Sequence, residues 1–135
     1  MRTLKAGCFL INKKTGKIAL VYRAKRSDFS FPRGHVEEGE TLEQCAVRET
    51  AEESQRVAKI VENMKPYVEK YTTPGGEKCK CYMYVAFDAG KSKNPIEESH
   101  EAYWAELDEV ESKLSYPTIR KMWRKAKRKI EKLLK

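Results

Sequence analysis

The stretch from Phe31 to Val57, FPRGHVEEGETLEQCAVRETAEESQRV, constrains this chain more than any other. Gly34 lies in a loop that leads into a helix, and along that helix Glu49, Glu52 and Glu53 follow Arg48. Residues three and four apart share a helix face, with Cβ atoms about 5–6 Å apart, so the three carboxylates point the same way. Like charges repel in that arrangement, and no lysine is interleaved between Glu49 and Gln55 to relieve them. A hard cation would relieve them. Magnesium suits the task because it takes oxygen ligands octahedrally at about 2.0–2.1 Å and is usually shared between a few carboxylates and substrate phosphates. Manganese is the natural substitute.

The spacing adds to the chemistry. Gly34, five residues, Glu40, seven residues, Arg48-Glu49, two residues and Glu52-Glu53 together resemble the signature of the Nudix (MutT-like) hydrolases. The resemblance covers nearly the whole chain. It implies an α/β protein in one domain, residues 1–135, built as an α/β/α sandwich with a mixed sheet between the glutamate helix and a C-terminal helix. It also implies roles. Glu49, Glu52 and Glu53 would hold the metal, with Gly34 contributing backbone. Glu53 or Glu52 would orient or deprotonate the attacking water, Glu40 would join through a bridging water, and Arg48 would orient the glutamates by pairing. Glu98 or Glu101, in a following acidic segment, is a candidate for a further metal ligand or water-activating group. The run FPRGHVEEGET looks like the FPKGH loop of dinucleoside polyphosphate hydrolases, with Arg33 in place of the lysine. One departure stands out: Gln55-Arg56 replaces the usual glycine and aliphatic pair. Glycine would cap the helix in a left-handed conformation that costs glutamine more, so the helix end is where this chain should differ.

A length of 135 residues closes one hydrophobic core and is too short for two. No apolar run approaches bilayer length, and the N-terminal MRTLKAGCFLINKKTG reads as a first strand and not as a signal peptide. Cys8, Cys45, Cys79 and Cys81 form no CxxC pair, which argues against zinc and for reduced core thiols in a cytoplasmic protein. The net charge of +8 has a single source: residues 120–135 hold nine Lys or Arg and one Glu, while the remainder balances to zero.

In chain order, Thr3–Asn12 and KIALVYR read as a hairpin around a Lys13–Gly16 turn. Arg23 and Arg26, with Lys25, then precede the loop SDFSFPRGH, where with Arg33 they could grip phosphate oxygens. Thr41 with Gln44 forms a capping-box pattern, and Leu42, Ala46, Val47, Thr50 and Ala51 offer a small-residue packing side. Strands are expected over 57–62 and 66–73, a turn at 73–76, and then a strand in KCKCYMYVAFDAG. Along it Cys79, Cys81, Met83 and Val85 alternate with Lys80, Tyr82, Tyr84 and Ala86; Tyr82 and Tyr84 are candidates for stacking on a base, although aromatic residues on a strand more often simply pack, the reading preferred here. A strand from Glu101 to Glu106 would bury Trp104. Pro117 opens the last helix, whose stripe Ile119, Met122, Trp123, Ala126, Ile130 and Leu133 should pack on the sheet.

The chemistry expected is magnesium-dependent hydrolysis of a phosphoanhydride in a nucleoside diphosphate linked to another group, a dinucleoside polyphosphate or a nucleoside triphosphate. Phosphoryl transfer of this kind needs mainly positioning and charge neutralisation. The partner is a small nucleotide, with no membrane, and the protein is a monomer or homodimer. RNA stays open in two forms: as a substrate trimmed at its 5′ end, or as a ligand that Lys125, Lys127 and Lys129 of the basic helix hold without hydrolysis.

Overall fold

The computed structural model describes residues 2–93 and 102–135. Its elements are β1 (Thr3–Ile11), β2 (Ile18–Arg23), β3 (Asp28–Ser30), β4 (Arg33–His35), α1 (Leu42–Ser54), β5 (Arg56–Ile60), β6 (Tyr67–Thr72) and β7 (Lys78–Lys91). A short strand β8 (Tyr103–Ala105), a single 3-10 turn, α2 (Val110–Lys113) and α3 (Pro117–Leu133) complete the chain. The strands form one sheet in which β1 and β7 run parallel over nine residue pairs, from Thr3↔Cys79 to Ile11↔Phe87. Every other pairing is antiparallel, so the sheet is mixed. On its other edge β1 splits its partners: β4 pairs with Lys5–Gly7, and β2 meets Ile11. The far edge of β7 is divided in the same way between β6 and β5.

Alternation along β1 and β7 sends side chains to two cores, because a strand buried on both faces fills both with apolar residues. Phe9, Ile11, Met83 and Val85 pack with Trp123, Met122 and Ile130 of α3. Ala6, Cys8, Leu10 and Ala86 face Cys45 and Ala46 of α1, where small side chains let helix and sheet approach closely. The α/β/α sandwich expected from the motif is therefore present. All four cysteines are free and buried. Among the described residues no helix is long and apolar enough to cross a membrane.

Several expectations need correction. The segment read as a loop before Gly34 holds two three-residue strands, β3 and β4, too short to show alternation. Leu133 is exposed, and Leu134, a full turn after Ile130, packs on the core instead. Cys45 and Ser54 are buried on α1, whereas Leu42, Val47 and Ala51 are only half-buried. Trp104 is half-buried against the α1 side.

The capping box is formed as expected: Gln44 N–H donates to Thr41 Oγ1, and Thr41 N–H donates to Gln44 Oε1, both at 3.0 Å. At the other end Gln55 adopts the left-handed conformation, φ 61° and ψ 26°, and its N–H caps Ala51 at 2.9 Å. The backbone thus keeps the glycine geometry without the glycine. Arg56, in the aliphatic position, forks onto Asp88 at 3.0 and 2.7 Å and ties β5 to β7. We expect Gln55→Gly to stabilise the protein by about 0.5–1 kcal/mol by relieving the left-handed strain. The measurement is the urea midpoint at unchanged slope. An unchanged or lower midpoint would mean that the glutamine side chain contributes more than its backbone costs.

Candidate active site

Arg48 organises the acidic side of the site. Its Nε and Nη2 reach Glu40 at 2.6 and 3.0 Å, while Nη1 binds Glu49 at 2.7 Å and Glu52 at 3.1 Å. Nη2 also donates to the His35 carbonyl at 2.9 Å, which ties the helix to β4. The guanidinium holds the Glu40 carboxyl down at about 2. For Glu49 burial outweighs that pairing and its carboxyl is raised above the ordinary range.

Glu53 points elsewhere. It is half-buried, and the Arg33 backbone amide and guanidinium lie close enough to favour its charged form. Burial first, and the neighbouring Glu49 charge second, push its carboxyl up to about 7. A group with that affinity for a proton can take one from water near neutral pH. The thiol beneath the cluster is inert: burial and the Glu40 charge push Cys45 up to about 12.

Gly34 explains its own place in the motif. A Cβ there would overlap the carboxylate of Glu49, so a side chain at this position would have to push that carboxylate out of its place beside Arg48. Among the described residues no three acidic, His or Cys side chains form a ready cation cage, since Arg48 stands between Glu40, Glu49 and Glu52. The donor set still suits a hard divalent ion, being all oxygen and opened to backbone by Gly34. Glu98 and Glu101 fall outside the described residues.

Glu53 forms one edge of a cleft of about 480 Å³, a size that suits a nucleotide. Lys5, Arg23, Arg26 and Arg33 line it. The cleft therefore brings together three of the arginines singled out in the sequence with one of the glutamates. They are not equivalent. Arg33 is half-buried and bonded to the buried Glu69 at 2.6 Å, and Glu69 accepts a second bond from Thr118 Oγ1 at 2.6 Å. Arg23 forks onto Asp28 at 2.8 and 2.6 Å. Burial works against the Asp28 charge, yet hydrogen bonds from Arg23 and Ser115 hold its carboxyl below the usual range. Arg26 donates from its guanidinium to the phenol of Tyr116 at 3.2 Å, makes no ion pair among the described residues, and is exposed at the cleft mouth. It is the arginine best able to meet a phosphate. Phe31, Val21, Tyr71, Pro74 and Pro117 supply the apolar wall.

Tyr82 and Tyr84 are corrected. Both lie under α1, on the face of β7 away from the cleft, and Tyr84 reaches Glu43 at 3.5 Å. Neither lines the cleft, because β7 is an interior strand with both faces covered. Sequence reasoning missed Lys5, Glu69, Tyr71, Tyr116 and Thr118. The available signal was Glu69, a charge that alternation places on the inward face between Tyr67 and Tyr71.

Comparisons with known proteins bear on the family and the fold. A protein of Mycolicibacterium smegmatis named 8-oxo-(d)GTP phosphatase is 29% identical over 111 residues, 82% of this chain and 34% of that protein. A protein of Mycobacterium tuberculosis named as mutator protein MutT4 is 31% identical over 118 residues, 86% of this chain and 48% of that protein. The chain thus spans about a third to a half of the length of these curated relatives. The crystal structure of a C. elegans Ap4A hydrolase superposes with a TM-score of 0.74 at 22% identity, covering 96% of this chain and 98% of that one. A Nudix hydrolase of Clostridium perfringens gives 0.75 at 17% identity over 98% and 99%. Such identities speak for the fold alone. The pattern of the NUDIX domain family matches residues 1–128, and with its fixed glycine, arginine and glutamates in place this chain belongs to the Nudix hydrolase family.

Proposed function

We propose that this chain hydrolyses a phosphoanhydride bond of a nucleoside diphosphate linked to a further group, with magnesium, or manganese in its place, as cofactor. One observation carries the reading: Glu53 of the motif helix lines the same cleft as Lys5, Arg23, Arg26 and Arg33 and an apolar wall. Polyphosphate, metal and base each find a matching surface there.

Glu49, Glu52 and Glu53 would hold the ion, beside the Gly34 backbone. Bound there, it would neutralise charge on the phosphate oxygens. Arg48 fixes Glu40, Glu49 and Glu52 and stays out of contact with substrate. Arg26 and Lys5 bind non-bridging phosphate oxygens, and Tyr71 and Phe31 offer the base an apolar seat. Glu53 takes a proton from the attacking water as its oxygen bonds to phosphorus. The bond from phosphorus to the leaving phosphate breaks, and that phosphate departs with the electron pair.

A dinucleoside polyphosphate or nucleoside triphosphate is the substrate class, supported by the FPRGH loop and by the named activities of the relatives. The test is nucleotide and phosphate release, with magnesium, from diadenosine polyphosphates, nucleoside triphosphates, ADP-ribose and a 5′-triphosphate RNA. Turnover of one class, abolished by EDTA and restored by magnesium, is expected. Release no greater than that of Glu53→Gln on every substrate would overturn the hydrolase reading.

A further inference from the structure

β6 is an edge strand: it pairs with β7 from Tyr67↔Met83 to Thr72↔Lys78, and among the described residues no strand pairs with its other side. The hairpin turn fixes which backbone groups that free side displays. Thr73 N–H donates to the Glu77 carbonyl at 2.8 Å, so Tyr71, Glu69 and Tyr67, in step with Thr73, spend their N–H and C=O groups on β7. Val68 and Lys70, out of step, turn theirs outwards. A groove of about 410 Å³ follows this edge, between β6 and α3. Its strand wall is the five consecutive residues 66–70, and that run marks an edge, because the face of a strand presents only every second residue. Thr118, Lys121, Met122 and Lys125 form the helix wall. The two walls match in length, at about 13 Å for the strand and about 10 Å for the helix.

The groove is charged, and its charge is unmatched. On the flank of α3 towards α2 the cations are paired: Arg124 forks onto Glu111 at 3.0 and 2.7 Å, and Lys127 reaches Asp108 at 2.6 Å. Lys121, Lys125 and Lys70 are exposed along the groove, and among the described residues none of them makes an ion pair. The one acid there, Glu69, is buried and committed to Arg33 and Thr118. A lysine on an edge strand keeps other strands away, and Lys70 alone would do that. Two more lysines on the facing wall, with Tyr67, Val68 and Met122 as an uncharged floor, make a channel that repels basic strands and attracts acidic ones. A second copy of β6 is disfavoured on the same ground, since it brings Lys65 and Lys70 of its own. Spacing agrees with an acidic strand. Lys121 and Lys125 stand about 6 Å apart along the helix axis, and alternate side chains of an extended chain recur about every 6.6–6.8 Å. We propose that the β6–α3 groove binds an acidic, extended segment of a partner protein. The segment adds to β6 as a further strand through the Val68 and Lys70 backbone and sets its carboxylates against the three lysines. This inference does not depend on the hydrolase reading.

The test measures binding of the full chain to an end-blocked heptapeptide of alternating glutamate and valine. Saturable binding is expected, with amide hydrogen exchange at Val68 and Lys70 slowed by about tenfold or more. Val68→Pro removes an outward N–H and leaves the β6–β7 ladder intact, so it should weaken binding by about tenfold. The same peptide with its amide nitrogens methylated keeps every charge and should not bind; it decides the point if the proline variant fails to fold. Lys70→Ala/Lys121→Ala/Lys125→Ala should cost about tenfold or more, while Arg124→Ala/Lys127→Ala changes nothing. No binding of the glutamate peptide, equal binding of its methylated form or of a lysine–valine peptide, or an equal loss in the Arg124→Ala/Lys127→Ala control would overturn the proposal. Tighter binding of a 5′-monophosphate octaribonucleotide at the same three lysines would overturn it too. Since the readout is binding, each of these failures leaves the hydrolase reading untouched.

Discussion

Glu53→Gln should reduce turnover by about 10³-fold or more and, in metal-free protein, should raise stability. The first effect follows from the proposed mechanism, in which the substitution removes both a metal donor and the acceptor of the water proton, and general-base catalysis alone contributes about 10²–10⁴-fold. The second follows from the same geometry. Glu53 is half-buried beside Glu49, with Glu52 next to it in sequence, and its ionisation in the folded state is penalised by desolvation and by like charge. Its folded carboxyl sits at about 7, above its ordinary 4.5, so protons bind the folded protein more tightly than the unfolded chain. Stability contributed by the protonated form is complete below about 4.5 and is lost as pH rises through 7. Removing the charge should therefore gain up to about 3 kcal/mol at pH 8 and close to nothing at pH 4. Metal-free thermal melts of both proteins at the two pH values read this directly. A variant that loses activity without gaining stability at pH 8 would show that Glu53 is not held against its charge. A site that is less stable ionised and empty than neutral is what a cation-binding cluster requires.

The motif residues were legible in the sequence because they lie on one helix, where spacing alone fixes which side chains share a face. Arg48 among Glu40, Glu49 and Glu52 needs no knowledge of the sheet beyond Gly34 lying nearby. The capping box at Thr41, the hairpin through Thr73–Gly76 and the α3 stripe were legible for the same reason of local periodicity. What failed depends on which strands become neighbours. β3 and β4 are three residues long and carry no period, so their pairing with β2 and β1 had no local trace. The alternation along β7 is visible in the sequence, but which of its faces meets the cleft is not. The parallel pairing with β1 makes β7 an interior strand, and α1 covers Tyr84. The basic wall of the cleft has the same origin. Lys5 on β1, Arg33 on β4 and Glu69 on β6 meet only through the sheet register, with Gly7↔Arg33 on one side and Glu69↔Cys81 on the other. Charge distribution on α3 was likewise hidden. The +8 was visible as a sum, but which lysines are neutralised depends on α2 standing beside one flank of the helix.

Glu69→Ala should destabilise the protein by about 3–5 kcal/mol, the largest stability change expected of any single substitution in the cleft. Glu69 and Arg33 are both nearly excluded from solvent, with side chains 3% and 12% exposed, and they meet at 2.6 Å. Thr118 Oγ1 donates to the second carboxylate oxygen, so one acid fastens β4, β6 and the first turn of α3 together. Truncation leaves a guanidinium that cannot shed its charge in a site with little water, and that stranded charge is the main cost. The cost belongs to the broken pair and not to the net worth of the intact one. Replacing both partners, Arg33→Met with Glu69→Leu, should therefore recover most of the stability lost in Glu69→Ala, since an apolar pair of similar volume removes two desolvation penalties at once. Denaturant melts of the two singles and the double read the coupling. Near-additive losses would show that the two residues stabilise the fold through separate contacts. Recovery of stability in the double should leave activity depressed, because the cleft would lose the Arg33 guanidinium from its cationic lining and the charge beside Glu53 would change. A double variant as active as wild type would restrict the role of Arg33 to holding the cleft walls together.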